Sequence, residues 1–192
     1  MRVLIAPDKF KGTLTAHAAA KSIARGWKRA RPQDTLTLVP ISDGGDGFGS
    51  VLAELRGATA VRSVTVDAAG RRCGVRWWWD AVTATAIVES ARVIGLAMLP
   101  PGKFHPFQLN TRGLGMILRA TSRRGARRCI LGIGGSATND GGFGLARELG
   151  WKFLDTHGHV ITRWTDLPAL ARVKPPQRRH WPVRITVAGD VQ

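Results

Sequence analysis

The sequence predicts an α/β protein: a mostly parallel sheet with flanking helices, Rossmann- or flavodoxin-like, joined to a smaller mixed α/β lobe containing short antiparallel strands. Three observations carry this. Short continuous apolar runs, suited to strands buried on both faces, alternate with segments of helical spacing. Between about Val61 and Glu89 the pattern changes to short strands joined by Ala-Gly and Asp-Ala turns, closer to hairpins than to βαβ units. The chain has 192 residues, 44% apolar and 22% charged, enough to bury a core as one large domain or two small ones.

The first strand is Val3 to Ala6, stopped by Pro7. A polar turn, Asp8 to Thr13, leads to Thr15 as N-cap of a helix reaching about Arg31, with Ala16, Ala19, Ala20, Ile23, Ala24 and Trp27 on one face. Lys28, Arg29 and Arg31 suit its C-terminal dipole, and Pro32 closes it. Leu36 to Ile41 reads as a second strand, Ser42 to Gly47 as a Gly-rich turn and Phe48 to Leu55 as a short helix. Residues 1–62 are thus expected to form the first part of a Rossmann-like lobe. Residues 63–192 are expected to form a second α/β segment, with a hairpin region at 63–89 and a Gly-rich loop at 134–142.

Within that second segment, Val61 to Val66, Gly74 to Trp79 and Thr85 to Glu89 are short strands, and Pro100 to Pro106 is a loop. Thr111 to Arg124 has helical spacing at Leu114, Ile117, Leu118 and Thr121, and Gly125 ends it. Cys129 to Ile133 is a buried strand, Phe143 to Leu149 a helix and Trp151 to Leu154 a strand. A Pro/Arg-rich connection from Pro168 to Pro182 precedes a last strand, Val183 to Ala188. The chain then reads Gly189-Asp190-Val191-Gln192, where an α/β unit turns into its next helix.

Charge suggests one class of partner. Lys and Arg number 29 against 13 Asp and Glu, a formal net charge of +16, which points to polyanions: nucleic acid, an anionic membrane or phosphorylated small molecules. The densest basic stretch, Arg119, Arg123, Arg124, Arg127 and Arg128, is explained by a helix C-terminus and the turn after it, and no nucleic-acid-binding signature accompanies it. Cys73 and Cys129 cannot form a disulfide framework, and neither has metal-ligand spacing. The apolar run after Met1-Arg2 is too short for a signal-peptide core and no run approaches a membrane span, so a reduced, cytoplasmic setting is expected.

Three polar turns follow three predicted strands: Pro7 to Thr13, Ser42 to Gly47, and Gly134 to Gly142. In open parallel sheets ligands bind beyond the carboxyl ends of the strands, where such turns converge. Glycines let backbone amides approach a phosphate, and carboxylates there suit Mg²⁺ or a general base acting on a hydroxyl nucleophile. Asp8, Asp43, Asp140 and Asp190 each lie just past a strand end, in a chain with few acids. Singly, each has a plainer reading: Asp8 as a turn-former, Asp140 as the cap of the helix at Phe143, Glu89 as a structural acid, Lys9 and Lys11 as solvated.

Other motifs carry less. Gly132-x-Gly134-x-x-Ala137 with Asp155 matches a loose dinucleotide fingerprint, but the loop runs on through Ser136, Thr138, Asn139 and Asp140 before its helix starts. There is no Walker A sequence, Ser136 lacks a hydrolase elbow, and His157-Gly158-His159 reads as a polar turn. His17, His105 and His180 complete no set with them.

At the three turns the sequence resembles the bacterial glycerate kinase type-1 family. Pro7 to Gly12 matches its Pro-Asp-Ser-Phe-Lys-Gly turn, with Lys9 in place of Ser. Asp43 to Gly47 matches an Asp-Gly-Gly-Glu-Gly turn, with Asp46 for Glu, and Gly134 to Gly142 matches the Gly-Gly-Ser-Ala-Thr-Asn-Asp-Gly-Gly stretch in full. Met116 stands where the family carries Glu, and Phe48 where it carries Thr. The resemblance implies ATP- and Mg²⁺-dependent phosphorylation of a hydroxyl of D-glycerate. It implies catalytic roles for Asp43, Asp190 and Lys11, with Asp43 and Asp190 as metal carboxylates. Asp8, Lys9, Gly44, Gly45, Gly134, Gly135, Ser136, Thr138, Asn139 and Asp140 would bind substrate or phosphate. Family members are about twice as long, so the expectation is the N-terminal half of a two-lobed enzyme, completed by a missing half or by a second copy. A non-catalytic remnant and a basic nucleic-acid-binding module are the alternative expectations.

Overall fold

The computed structural model describes residues 1–179, 181–182 and 184–189. Its elements run β1 (Arg2–Ile5), α1 (Ala16–Ala30), β2 (Thr35–Leu38), α2 (Phe48–Arg56), β3 (Thr59–Val66), β4 (Arg72–Asp80), β5 (Thr85–Glu89), α3 (Ala91–Ile94), α4 (Arg112–Arg123), β6 (Arg128–Gly132), α5 (Phe143–Glu148), β7 (Lys152–Leu154), β8 (Arg172–Lys174) and β9 (Arg184–Ala188). Three short 3₁₀ segments, Leu96–Met98, Pro106–Gln108 and Trp164–Ala169, fill the connections.

The α/β class holds, and parallel and antiparallel pairing share one sheet. Five strands run in the order β3-β4-β5-β6-β9. β3-β4 and β4-β5 are antiparallel, β5-β6 and β6-β9 parallel. β5 is buried along its whole length, as its unbroken Thr-Ala-Ile-Val-Glu run requires. Its side chains alternate: Ala86 and Val88 face a core built with Trp77, Ile117, Leu118 and Leu131, while Ile87 faces Phe48, Ala53 and Trp78. Helices α3 and α4 thus cover one face and α2 the other, and each large apolar side chain so buried contributes roughly 1.5–3 kcal/mol. The indole N–H of buried Trp77 donates to Ser63 Oγ at 2.9 Å.

β1 and β2 pair in parallel as a separate two-stranded sheet, and α1 packs on it. Thr15 caps α1, its hydroxyl accepting from the Ala18 amide at 3.2 Å. β2 stops at Leu38, earlier than its apolar run predicts. Pro40 lacks the N–H a regular ladder needs, so pairing continues only as single bonds from Val39 N to Ile5 O and Ile41 N to Pro7 O. Unusually for parallel strands, much of this sheet faces solvent: Leu4 is 65% exposed, and Leu38 and Ile41 are exposed too. β8, which pairs antiparallel with β7, lies inside the stretch expected to be a Pro/Arg-rich connection. The last strand begins at Arg184; the expected start at Val183 lies outside the described residues, as do His180 and Asp190.

Candidate active site

The parallel strands end level with one another, Glu89 beside Gly132 beside Ala188. The turn that follows β2 lies across these ends. A Cβ on Gly44 would stand 2.6 Å from Ala188 O, and one on Gly134 would stand 2.7 Å from the Gly45 Cα, so backbone meets backbone without room for side chains. Gly44, at φ +90°, also holds a conformation that L side chains rarely adopt. Hydrogen bonds from Gly134 N to Gly44 O and from Ile133 N to Ala188 O tie the second turn, the third loop and β9 together.

Glu89 anchors the same turn from below. Buried to 2% exposure, it accepts from the amides of Gly47 and Gly49 at 3.0 Å each, taking the orphan N–H groups where α2 begins. Arg92 Nε lies 3.3 Å from the same carboxylate. Glu89 is therefore the structural acid its place at the end of an apolar strand suggests, and α2's N-terminus is filled from within the fold.

The first turn reaches the second through Lys9. Its ammonium donates to Asp43 Oδ1 at 2.7 Å and lies 4.0 Å from Asp8 Oδ1, with the Lys9 side chain 12% exposed. Asp43 Oδ1 also accepts from the Gly45 amide at 2.9 Å. Burial alone would lower the Lys9 pKa, but the hydrogen bond to Asp43 and the nearby charges of Asp43, Asp8 and Asp46 outweigh it and raise the pKa above the usual lysine value. The Lys9 hydrogen bond first, and the Gly45 amide second, hold the Asp43 carboxyl below the ordinary carboxylate range against the effect of burial.

Beside this pair opens a cleft of about 560 Å³, within the usual span of small-molecule sites. Asp8, Lys9, Lys11, the start of α1 from Thr15 to His17, Ser42, Asp46, Ser50 and Arg92 line it, with Phe10, Leu14, Ile41 and Val51 as apolar wall. The first turn of α1 carries no acidic residue, so its partial positive charge adds to that of the lysines. Lys11 is exposed and makes no hydrogen bond or ion pair with the described residues. Ser42, in the cleft wall, has its Oγ buried with no hydrogen-bond partner among them. Ser42 and Arg92 are residues that sequence patterns did not single out; a serine in a Gly-rich turn carries no signal of its own.

The predicted residues therefore divide. Asp8, Lys9 and Lys11 line the cleft. Asp43, Gly44 and Gly45 lie behind its wall, joined to it through the Lys9–Asp43 and Gly45–Asp43 hydrogen bonds. Gly134 and Gly135 back the second turn, the Gly135 Cβ position lying 3.3 Å from Asp46 Oδ1. Ser136 shares a 2.8 Å hydrogen bond with Ser90 Oγ, and its hydroxyl lies 3.1 Å from Ile133 O. Asp140 is 3% exposed and turned toward the helices: its carboxylate accepts from the amides of Thr111, Gly142 and Gly144 and from the Thr111 hydroxyl. Neither Thr138 nor Asn139 lines the cleft. Asp155 closes the expected polar turn, accepting from the His157 and His159 amides, and α5 opens only at Phe143, too late for a dinucleotide loop.

Asp190, expected with Asp43 as a metal carboxylate, lies outside the described residues. Among the described residues no group of three or more His, Cys, Asp and Glu side chains is placed to share a metal ion, and Asp43 Oδ1 is taken by an ammonium and an amide. No helix there is long and apolar enough to cross a membrane.

Residues 3–192 match the model of the glycerate kinase family. The chain is 37% identical over 161 residues to the glycerate kinase of Bacillus subtilis (strain 168), covering 84% of this chain and 42% of that protein. It is 36% identical over 162 residues to the glycerate 2-kinase of Escherichia coli (strain K12), again 84% of this chain and 42% of that one. Among solved structures, a Salmonella typhimurium LT2 protein assigned as glycerate kinase 2 superposes with a TM-score of 0.77 at 31% identity, over 91% of this chain and 47% of that one. The chain spans about half the length of the curated relatives it matches.

Proposed function

The chain belongs to the glycerate kinase family, and on that premise we propose that its cleft serves ATP-dependent transfer of a phosphoryl group to a hydroxyl of D-glycerate. One observation carries this: a cleft beside a helix N-terminus is lined by Lys11, which has no partner among the described residues, and by Lys9, whose ammonium holds the Asp43 carboxylate behind the wall. Phosphoryl transfer depends on positioning and charge neutralisation more than on covalent help, and these groups supply both. Lys11 holds an anionic group, either a phosphate or the glycerate carboxylate. Ser42 Oγ hydrogen-bonds the ligand. Asp43, kept ionised by Lys9, is a weak base and is suited to orient the acceptor hydroxyl. Asp190, outside the described residues, is the second carboxylate of the proposal. Magnesium would arrive on the ATP phosphates, which supply much of its coordination, and neutralise their charge. With both cysteines free, the cytoplasm is the setting that fits.

A second reading, a non-catalytic remnant of such a kinase, draws support from the exposed parallel strands β1 and β2, which a second copy or a complementary half of the fold would cover. An assay of ADP release from ATP and D-glycerate separates the two. Turnover that depends on glycerate and falls at least about tenfold in Lys11→Ala and Asp43→Asn supports the kinase. Failure of the chain to turn over or to bind either ligand by calorimetry rejects it in favour of the remnant.

A further inference from the structure

Beside the cleft a lysine, rather than open space, lies between the carboxylates of Asp43 and Asp8, with the charge of Asp46 near enough to act on it. Lys9 Nζ is 2.7 Å from Asp43 Oδ1 and 4.0 Å from Asp8 Oδ1. The pair is packed against backbone: a Cβ on Gly45 would stand 3.0 Å from Asp43 Oδ1 and 3.4 Å from Lys9 Nζ. A divalent ion bound to Asp43 by an inner-sphere bond of about 2.1 Å would share the carboxylate with the ammonium, two like charges held on one carboxylate. Asp43 Oδ1 already holds Lys9 and the Gly45 amide, which leaves such an ion only Oδ2, on a carboxylate whose charge the ammonium already balances.

We propose that Lys9 is a built-in cation of the cleft, a positioning residue that fixes Asp43 and keeps free divalent metal off the Asp8, Asp43 and Asp46 edge. This extends the kinase reading, on which it rests, by leaving the nucleotide to carry in the divalent ion at this edge. It concerns the nucleotide-free chain and is decided by metal binding, so its failure is distinct from failure of turnover on glycerate.

The experiment is titration of the full chain with Mn²⁺ alone, without nucleotide, followed by electron paramagnetic resonance of the free ion. Wild type is expected to show only weak binding, and Lys9→Ser, which removes the charge and opens the space, to bind Mn²⁺ at least about tenfold more tightly. Adding Asp43→Asn to Lys9→Ser is expected to abolish the gain. Lys9→Met keeps the apolar stem in place and serves if Lys9→Ser does not fold. Asp43→Asn in the wild-type background is expected to leave Mn²⁺ binding unchanged, an arm that needs no Lys9 variant. Equal Mn²⁺ affinity in wild type and Lys9→Ser, or weaker binding in the single Asp43→Asn variant, overturns the proposal.

Discussion

Thr111 and Asp140 form a latch between two helices. The Thr111 hydroxyl donates to Asp140 Oδ2 at 2.9 Å while accepting from the Leu145 amide at 2.9 Å, and Asp140 also accepts from the amides of Thr111 and Gly144. The starts of α4 and α5 are thereby joined through one buried carboxylate. Asp140→Ala removes acceptors from several buried donors together, and the expected loss is about 3 kcal/mol of unfolding free energy. Urea denaturation measures it; a variant within about 0.5 kcal/mol of wild type would show that the latch does not hold the helices.

Glu89 makes a comparable connection from β5 to the second turn. Glu89→Ala leaves the Gly47 and Gly49 amides without their acceptors and Arg92 without its partner, which is expected to destabilise the chain by about 2–4 kcal/mol. Glu89→Gln retains one oxygen and should lose less. Amide hydrogen exchange reads the local effect: both glycine amides should exchange faster in the alanine variant, and unchanged rates would mean the turn is held by other contacts.

The long elements are legible because one local signal suffices for each. α1 has a cap, an apolar face and a closing proline, and β5 is an unbroken buried run. β8 is not legible, since three exposed residues between Ala171 and two prolines carry neither period nor burial, and only pairing with β7 makes them a strand. The placement of Asp8 and Asp43 past strand ends can be read from the chain. Their meeting through Lys9 cannot, because 34 residues and two turn geometries separate Lys9 from Asp43. Asp140 shows the opposite limit: its neighbours in sequence suggest a ligand loop, while its carboxylate is used up by Thr111, 29 residues away.

Acid should weaken the fold partly through Asp80. The Thr83 hydroxyl first, then the Thr83 amide and Arg56, against opposing burial, hold its carboxyl below the ordinary value. A depressed carboxylate stabilises the native state fully above its unfolded pKa of about 3.9, and that contribution is lost as pH falls through the lower native value. Denaturation midpoints measured from pH 6 down to about pH 2.5 should therefore fall less steeply in Asp80→Asn than in wild type. Parallel curves would remove Asp80 from the acid response.

The two thiols border the same core face of the sheet but should differ in reactivity. Cys129 lies in β6 between β5 and β9, 1% exposed, and burial pushes its pKa up to about 12. Almost no thiolate forms there at neutral pH, and reagent cannot reach the sulfur without opening the central strands. Cys73, on the partly covered strand β4, has its pKa raised by burial first and then by Asp67, but it remains accessible. An aromatic disulfide reagent at pH 8 is expected to modify one thiol in the native chain, abolished by Cys73→Ser, and the second only in denaturant. Because β6 ends at Gly132, where the second turn packs, protection of Cys129 measures the integrity of the strands on which the cleft is built. Two thiols reacting together in the native chain would place that sheet in exchange with an open form.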